Sequence, residues 1–287
     1  MNSERMPIIA GNWKMNPAGS EDAVDLANSV DNRLADSGLF EENGSGCASC
    51  LSRPAREVVL FPPSVHLDKV AHWQNHFKLG AQDLSQHDKG AHTGEISGAM
   101  LKDVGCDYVL VGHSEKRKAG ESLEVVRGKV RAALDSALSP ILCVGETLDE
   151  REDGRANFVV EAQTSDALHG LTTEDMSKVV VAYEPVWAIG TGKNATPKDA
   201  EAMCKHIRGA IGVLFGKAVA ERTRVLYGGS AKPDNAGALM AQPNIDGLLV
   251  GGASLNANDF VDIVDFDGLR DDEEEDDQGG VDEGDEK

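Results

Sequence analysis

Eight short apolar runs, each four or five residues long, recur through this chain and constrain its fold more than any other feature. They are Pro7–Gly11, Val58–Phe61, Phe77–Ala81, Tyr108–Val111, Pro140–Val144, Val179–Ala182, Arg224–Tyr227 and Gly247–Val250. A strand with one wet face alternates apolar and polar residues. Most of these runs are unbroken Val, Ile and Leu, the pattern of parallel strands buried on both faces. Longer mixed segments of helical length separate them, among them Glu115–Ala137 and Pro197–Ala220. The second has a clear start, with Thr196 placed to cap and Pro197 at the first helical position. Eight strand–helix units in succession predict an α/β protein of the (β/α)8 barrel class, in a single domain over residues 1–264. An open doubly wound sheet is the competing architecture, but no GxGxxG follows the first run.

A barrel of this kind carries its chemistry at the C-terminal ends of its strands. Asn12 and Lys14 follow the first run, His113 the fourth and Glu184 the sixth. Gly228, Gly229 and Ser230 follow the seventh, and Gly251 and Gly252 the eighth. The residues with chemical potential therefore converge on one face. The stretch Val179–Asn194, VVVAYEPVWAIGTGKN, reads as a strand, a carboxylate base at its lip, and a short lid. Pro185 stiffens the exit, and Gly190 and Gly192 let backbone N–H groups approach an anion closely.

Composition limits the partners. The 287 residues carry a formal charge of −21, which disfavours nucleic acid and anionic membranes. Residues 271–287 hold eleven Asp/Glu and one Lys, a net −10, so the remainder carries −11. An anionic substrate then needs local positive charge, for which Lys14 is the candidate. Residues 265–287 are expected to be a disordered acidic tail. Residues 36–56, rich in Gly and Ser, are expected to be an exposed loop inserted on the opposite face of the barrel from the chemistry. The Cys47-Ala-Ser-Cys50 motif inside it lacks a second ligand pair for zinc, and no metal or cofactor is expected. Five scattered cysteines suit a reducing compartment, and Cys106 and Cys143 lie in or beside apolar runs. No run approaches the ~20 apolar residues of a membrane span. The N-terminus has no signal-peptide core, and the protein is expected to be soluble and cytoplasmic. His66, His72, His76 and His206 read as helix-surface residues.

Five motifs, in order, resemble the triosephosphate isomerase family: GNWKMN at 11–16, GHSEKR at 112–117, AYEPVWAIGTG at 182–192, YGGS at 227–230 and LLVGGASL at 248–255. The resemblance covers roughly residues 6–264. It implies interconversion of dihydroxyacetone phosphate and D-glyceraldehyde 3-phosphate, a step of glycolysis and gluconeogenesis, by proton transfer through an enediol(ate). Glu184 would be the base, His113 a neutral electrophile and Lys14 the stabilising cation. Asn12 would hydrogen-bond beside Lys14, and Glu115 would hold Lys14 in place. Backbone at Gly190, Ser230, Gly251 and Gly252 would bind the phosphate. The lid would comprise Pro185, Val186, Trp187, Ala188, Ile189, Gly190, Thr191, Gly192 and Lys193. The resemblance further implies a homodimer in which the long loop Gln82–Ser97 inserts beside the partner's site, with Thr93 at its tip and Glu95 paired to the partner's Lys116.

The chain departs from the family pattern at three places. Asn194 stands mid-hinge where Thr is common, Lys116 stands where Arg is usual, and the segment Lys118–Glu121 is one residue short and lacks an aromatic. Two other readings compete: a different phosphate-binding barrel, such as a ribulose-phosphate epimerase, and a non-catalytic barrel that works as an interaction module. The presence of Glu184, His113 and Lys14 together disfavours both.

Overall fold

The computed structural model describes residues 5–40, 55–188 and 195–268. Eight parallel strands close into a barrel in chain order: β1 (Ile8–Asn12), β2 (Glu57–Phe61), β3 (Lys78–Ala81), β4 (Tyr108–Val111), β5 (Ser139–Val144), β6 (Val180–Tyr183), β7 (Arg224–Tyr227) and β8 (Gly247–Val250). Closure is made by β1 against β8, with Ile8 opposite Gly247 and Gly11 opposite Val250. The expected strands are all present, with edges shifted by at most one residue.

Period-two alternation explains why the runs lack polar residues. Ile8 and Ala10 of β1, with Val59 and Phe61 of β2, fill the lumen together with Leu110, Ile141, Val180 and Leu226. Ile9, Val58 and Leu60 point outward into the larger core under the helices. Both sets are buried, so neither face needs a polar side chain. At Gly80 in β3, an added Cβ would meet the Phe61 ring at 2.2 Å, so the phenyl group occupies the space that a side chain on β3 would need.

The helices of the outer layer are α1 (Ser20–Asp36), α2 (Leu67–Ala71), α3 (Gly98–Asp103), α4 (Ser114–Lys118), α5 (Leu123–Asp135), α6 (Leu148–Glu152), α7 (Ala156–Ala167), α8 (Pro197–Phe215), α9 (Lys217–Arg222), α10 (Pro233–Met240) and α11 (Ala257–Val264). Thr196 caps α8 as expected, its hydroxyl accepting from the Asp199 amide at 3.2 Å. Two segments expected to be continuous helices are divided. Gly120, at φ +102°, separates α4 from α5, and Gly216, at φ +88°, separates α8 from α9. Left-handed backbone ends a helical turn, and glycine adopts it without steric cost.

Three further expectations need correction. His66 is buried, not on a helix surface, and its Nε2 lies 3.1 Å from the Pro17 carbonyl. Phe266 and Asp267, assigned to the tail, pack on the barrel. Phe266 is 2 % exposed and stacks under the Arg56 guanidinium, which also binds Asp267 at 2.8 and 2.9 Å. The segment expected to be an exposed loop is partly buried at both described ends: Leu39 and Phe40 lean on the core, and Arg56 is buried. Cys47 and Cys50 lie outside the described residues, as do residues 269–287. Cys106 and Cys143 are buried. Among the described residues no helix is long and apolar enough to cross a membrane, and no group of three or more His, Cys, Asp or Glu is placed to hold a metal.

Candidate active site

The inward face of β1 ends at Asn12, above Ile8 and Ala10. The chain then turns so that Lys14 sits at φ +54°, a left-handed conformation that costs a non-glycine residue about 1–3 kcal/mol. Three hydrogen bonds hold it there. The Lys14 amide donates to Asn12 Oδ1 at 3.0 Å, and the Gln82 side-chain amide donates to the carbonyls of Lys14 at 2.7 Å and Phe61 at 2.8 Å. The Lys14 ammonium reaches Glu115 Oε1 at 2.6 Å. Burial raises the Glu115 carboxyl, but the hydrogen bond and charge of Lys14 outweigh it and hold the group below its ordinary range.

His113 leaves β4 and is the residue on which α4 starts. Its Nδ1 accepts from the Glu115 backbone N–H at 3.3 Å. An amide can only donate, so in the neutral ring the proton sits on Nε2. That nitrogen faces the cleft, 3.0 Å from Glu184 Oε1 and 3.4 Å from Asn12 Nδ2.

Glu184 follows β6 and is 2 % exposed. Oε2 accepts from the Ser114 amide at 2.8 Å, and Oε1 accepts from the Ser114 hydroxyl at 3.1 Å. No lysine or arginine forms an ion pair with this carboxylate among the described residues. Its backbone lies against Gly145, where a Cβ would stand 1.8 Å from the Glu184 carbonyl oxygen. Only glycine at the end of β5 permits that approach.

The cleft these residues line has a volume of about 370 Å³. Its far side is formed by Gly228, Gly229 and Ser230 after β7 and by Gly251 and Gly252 after β8, where a 3-10 turn begins. No hydrogen bond within the described residues engages the amides of Gly229 and Ser230. One wall of the cleft thus carries a carboxylate, an imidazole and an ammonium, and the other carries backbone amides, of which those of Gly229 and Ser230 meet no acceptor among the described residues.

The sequence pattern of the family described as triosephosphate isomerase matches residues 7–267. A triosephosphate isomerase of Caldanaerobacter subterraneus subsp. tengcongensis is 49% identical over 265 residues, covering 91% of this chain and 100% of the relative. One of Thermoanaerobacter sp. strain X514 is 49% identical over 266 residues, with the same coverage of both chains. One of Roseiflexus sp. strain RS-1 is 48% identical over 265 residues, covering 91% and 98%. The chain belongs to the triosephosphate isomerase family.

As a member of that family it is an enzyme of the isomerase class. The residues expected from the strand ends, Asn12, Lys14, His113, Glu184, Ser230, Gly251 and Gly252, all line one cleft. Of the expected lid, Pro185–Ala188 are described, and Ile189, Gly190, Thr191, Gly192 and Lys193 lie outside the described residues. The first part is anchored below the mouth. Trp187 is 8 % exposed, and its indole N–H donates to the Tyr183 hydroxyl at 3.4 Å. The Arg151 guanidinium lies 4.4 Å over its ring. Arg151 also binds Glu146 at 2.9 Å and Asp199 at 3.2 Å, and Asp199 closes the cap on Thr196. One arginine therefore ties Trp187, in the first part of the expected lid, to Asp199 at the start of α8. Burial raises the Glu146 carboxyl, and the hydrogen bonds from its own amide, Arg151 and Tyr183 only partly offset this.

Sequence reasoning missed Ser114, Gly145, Glu146 and Arg151. Arg151 carries no sequence signal beyond a helical surface. Ser114 could have been found, because it directly follows His113 at a strand end. In the long loop, Thr93 is exposed, the Ser85 hydroxyl donates to Glu95, and Lys116 binds Asp83 at 2.7 Å within the same chain.

Proposed function

We propose that this isomerase interconverts dihydroxyacetone phosphate and D-glyceraldehyde 3-phosphate, in the cytoplasm, at the triose step of glycolysis and gluconeogenesis. The observation that carries the reading is the placement of Glu184, His113 Nε2 and Asn12 Nδ2 around one point in the cleft, opposite the backbone of Gly229, Ser230, Gly251 and Gly252. Glu184 takes a proton from the substrate carbon beside the carbonyl, giving an enediol(ate), and returns it to the neighbouring carbon. A carboxylate held by neutral donors is exchanged from Ser114 to the substrate without breaking an ion pair. His113 and Asn12 donate to the substrate oxygens, and Lys14 balances the charge that develops there. Gly229, Ser230, Gly251 and Gly252 receive the phosphate, with the lid Pro185–Lys193 excluding water above it.

A coupled assay with glyceraldehyde 3-phosphate tests the reading. Saturable formation of dihydroxyacetone phosphate supports it, and its absence in folded protein overturns it.

The homodimer is part of the same proposal. Beside the cleft lies a groove of about 540 Å³ bounded by Lys14, Gln82, Glu115 and Lys116, which a second copy's loop tip would fill. Thr93→Arg is expected to give monomers of low turnover at low concentration, read by light scattering alongside activity over a dilution series. A fully active monomer, or a dimer that the substitution leaves intact, sinks this part.

A further inference from the structure

We propose that Lys232 is a second substrate-recognition cation, which attracts and selects the phosphate group of the substrate. The inference deepens the reading above, since it assumes a phosphorylated triose in the same cleft. It rests on three observations.

The first is the charge on the cleft. Among the described residues, the lysines that line it are Lys14 and Lys232, and Lys14 is committed to Glu115 at 2.6 Å. Glu184 adds a negative charge. Without Lys232, the lysine and carboxylate that line the cleft among the described residues, Lys14 and Glu184, sum to zero, and the Lys14 charge is shared with Glu115, on a chain that already carries −21. A phosphate monoester brings about −1.5 to −2 more at neutral pH. Lys232 brings that sum to one positive charge before substrate arrives.

The second is that Lys232 is uncommitted. It is exposed, and it makes no ion pair among the described residues, unlike Lys14, Lys78, Lys102, Lys116 and Lys129. Its charge is available to a ligand.

The third is that its position is referenced to the phosphate wall. Asn235 Oδ1 accepts from the Lys232 amide at 2.9 Å, while Asn235 Nδ2 donates to the Ser230 carbonyl at 3.1 Å. One side chain from the first turn of α10 thus fixes both Ser230, whose amide meets no acceptor among the described residues, and the backbone that carries the Lys232 side chain. Ala231 between them is 6 % exposed and anchors the turn in the core.

An exposed cation acts over roughly one Debye length, about 8–10 Å at 0.1–0.15 M salt, so its contribution is screened in a way that backbone donors are not. Lys232→Ala is expected to lower kcat/KM for glyceraldehyde 3-phosphate about fivefold at low ionic strength, mainly through KM. The loss should shrink to under about twofold in 0.5 M salt. Lys232→Arg should restore most of it. Phosphate-free glyceraldehyde should be handled equally by wild type and Lys232→Ala. Calorimetric binding of inorganic phosphate needs no turnover, and Lys232→Ala should weaken it by a similar factor. If wild type binds phosphate in a Lys232-dependent way but turns over no triose phosphate, the proposed function fails while this inference stands. Lys232→Ala protein with unchanged phosphate binding and an unchanged salt profile overturns the inference. So does an equal loss at all ionic strengths that falls on kcat, which marks a structural role.

Discussion

Asp246 at the N-terminal end of the barrel and Glu184 at the C-terminal end are buried carboxylates held in opposite ways. At the N-terminal end, Asp246 precedes β8 and is fully buried between Arg5 at 2.5 Å and Arg208 at 2.5 Å, with the Val225 amide at 2.9 Å. Glu57, at the inward start of β2, meets Lys78 at 2.5 Å, Arg224 at 3.2 Å and the Tyr108 hydroxyl. At the C-terminal end, Glu184 is equally buried but accepts from the amide and hydroxyl of Ser114 and lies 3.0 Å from His113 Nε2, with no lysine or arginine paired to it among the described residues. A carboxylate locked between cations holds strands together and has little basicity to offer. One held by neutral donors can exchange those donors for a substrate. The same functional group is locked between cations at Asp246 and spared such pairing at Glu184, whose C-terminal-end neighbour Glu146 is itself paired with Arg151 at 2.9 Å.

That contrast breaks most visibly at Asp246. Asp246→Ala would leave two buried guanidinium groups facing each other, and a loss of about 3–5 kcal/mol is expected, measured by denaturant unfolding. Turnover per folded molecule at low temperature should stay near wild type, because the site lies at the other end of the strands. Glu57→Gln should cost less, about 1 kcal/mol, since Lys78 is half exposed and screened. Its effect carries a pH signature. Burial raises the Glu57 carboxyl, but the hydrogen bonds from Lys78 and Tyr108 and the charges of Arg224 and Lys78 together pull it below 4.5. A depressed carboxylate contributes stability above its unfolded value and loses it as pH falls through the folded one. The melting-temperature gap between wild type and Glu57→Gln should therefore be full at pH 6–7 and close on acidification below about 4.5. A gap that widens in acid contradicts the pairing.

The top of the barrel was more legible than the bottom, for a physical reason. Glu184 and His113 announce themselves because a polar residue at the end of an apolar run has few structural uses. Asp246 and Arg5 are 241 residues apart, and nothing local in either segment signals that they meet. The strands were legible because both faces are buried, which leaves a continuous apolar signature. The helical segments were less so: Glu115–Ala137 and Pro197–Ala220 read as unbroken, yet Gly120 and Gly216 within them adopt positive φ and divide them. Phe266 was hidden by the acidic residues that follow it, although its ring covers Arg56. Lys232 was passed over because a lysine before Pro233 reads as surface. Its relation to Ser230 depends on Asn235, three residues further on.

The central claim is that Glu184 is a base spared from structural duty, so Glu184→Gln should separate the two roles. Glutamine's oxygen can still accept from the Ser114 amide while its NH2 donates to the Ser114 hydroxyl oxygen, and no ion pair with lysine or arginine among the described residues is lost, so the melting temperature should stay within a few degrees of wild type. The amide cannot take a carbon proton. The decisive measurement is the rate at which solvent deuterium enters the carbon-bound positions of dihydroxyacetone phosphate in D2O, followed by NMR on samples whose melting curves are also recorded. Wild type should incorporate deuterium readily, and folded Glu184→Gln protein should be slower by about 10³-fold or more. Incorporation near the wild-type rate by the folded variant would contradict the account.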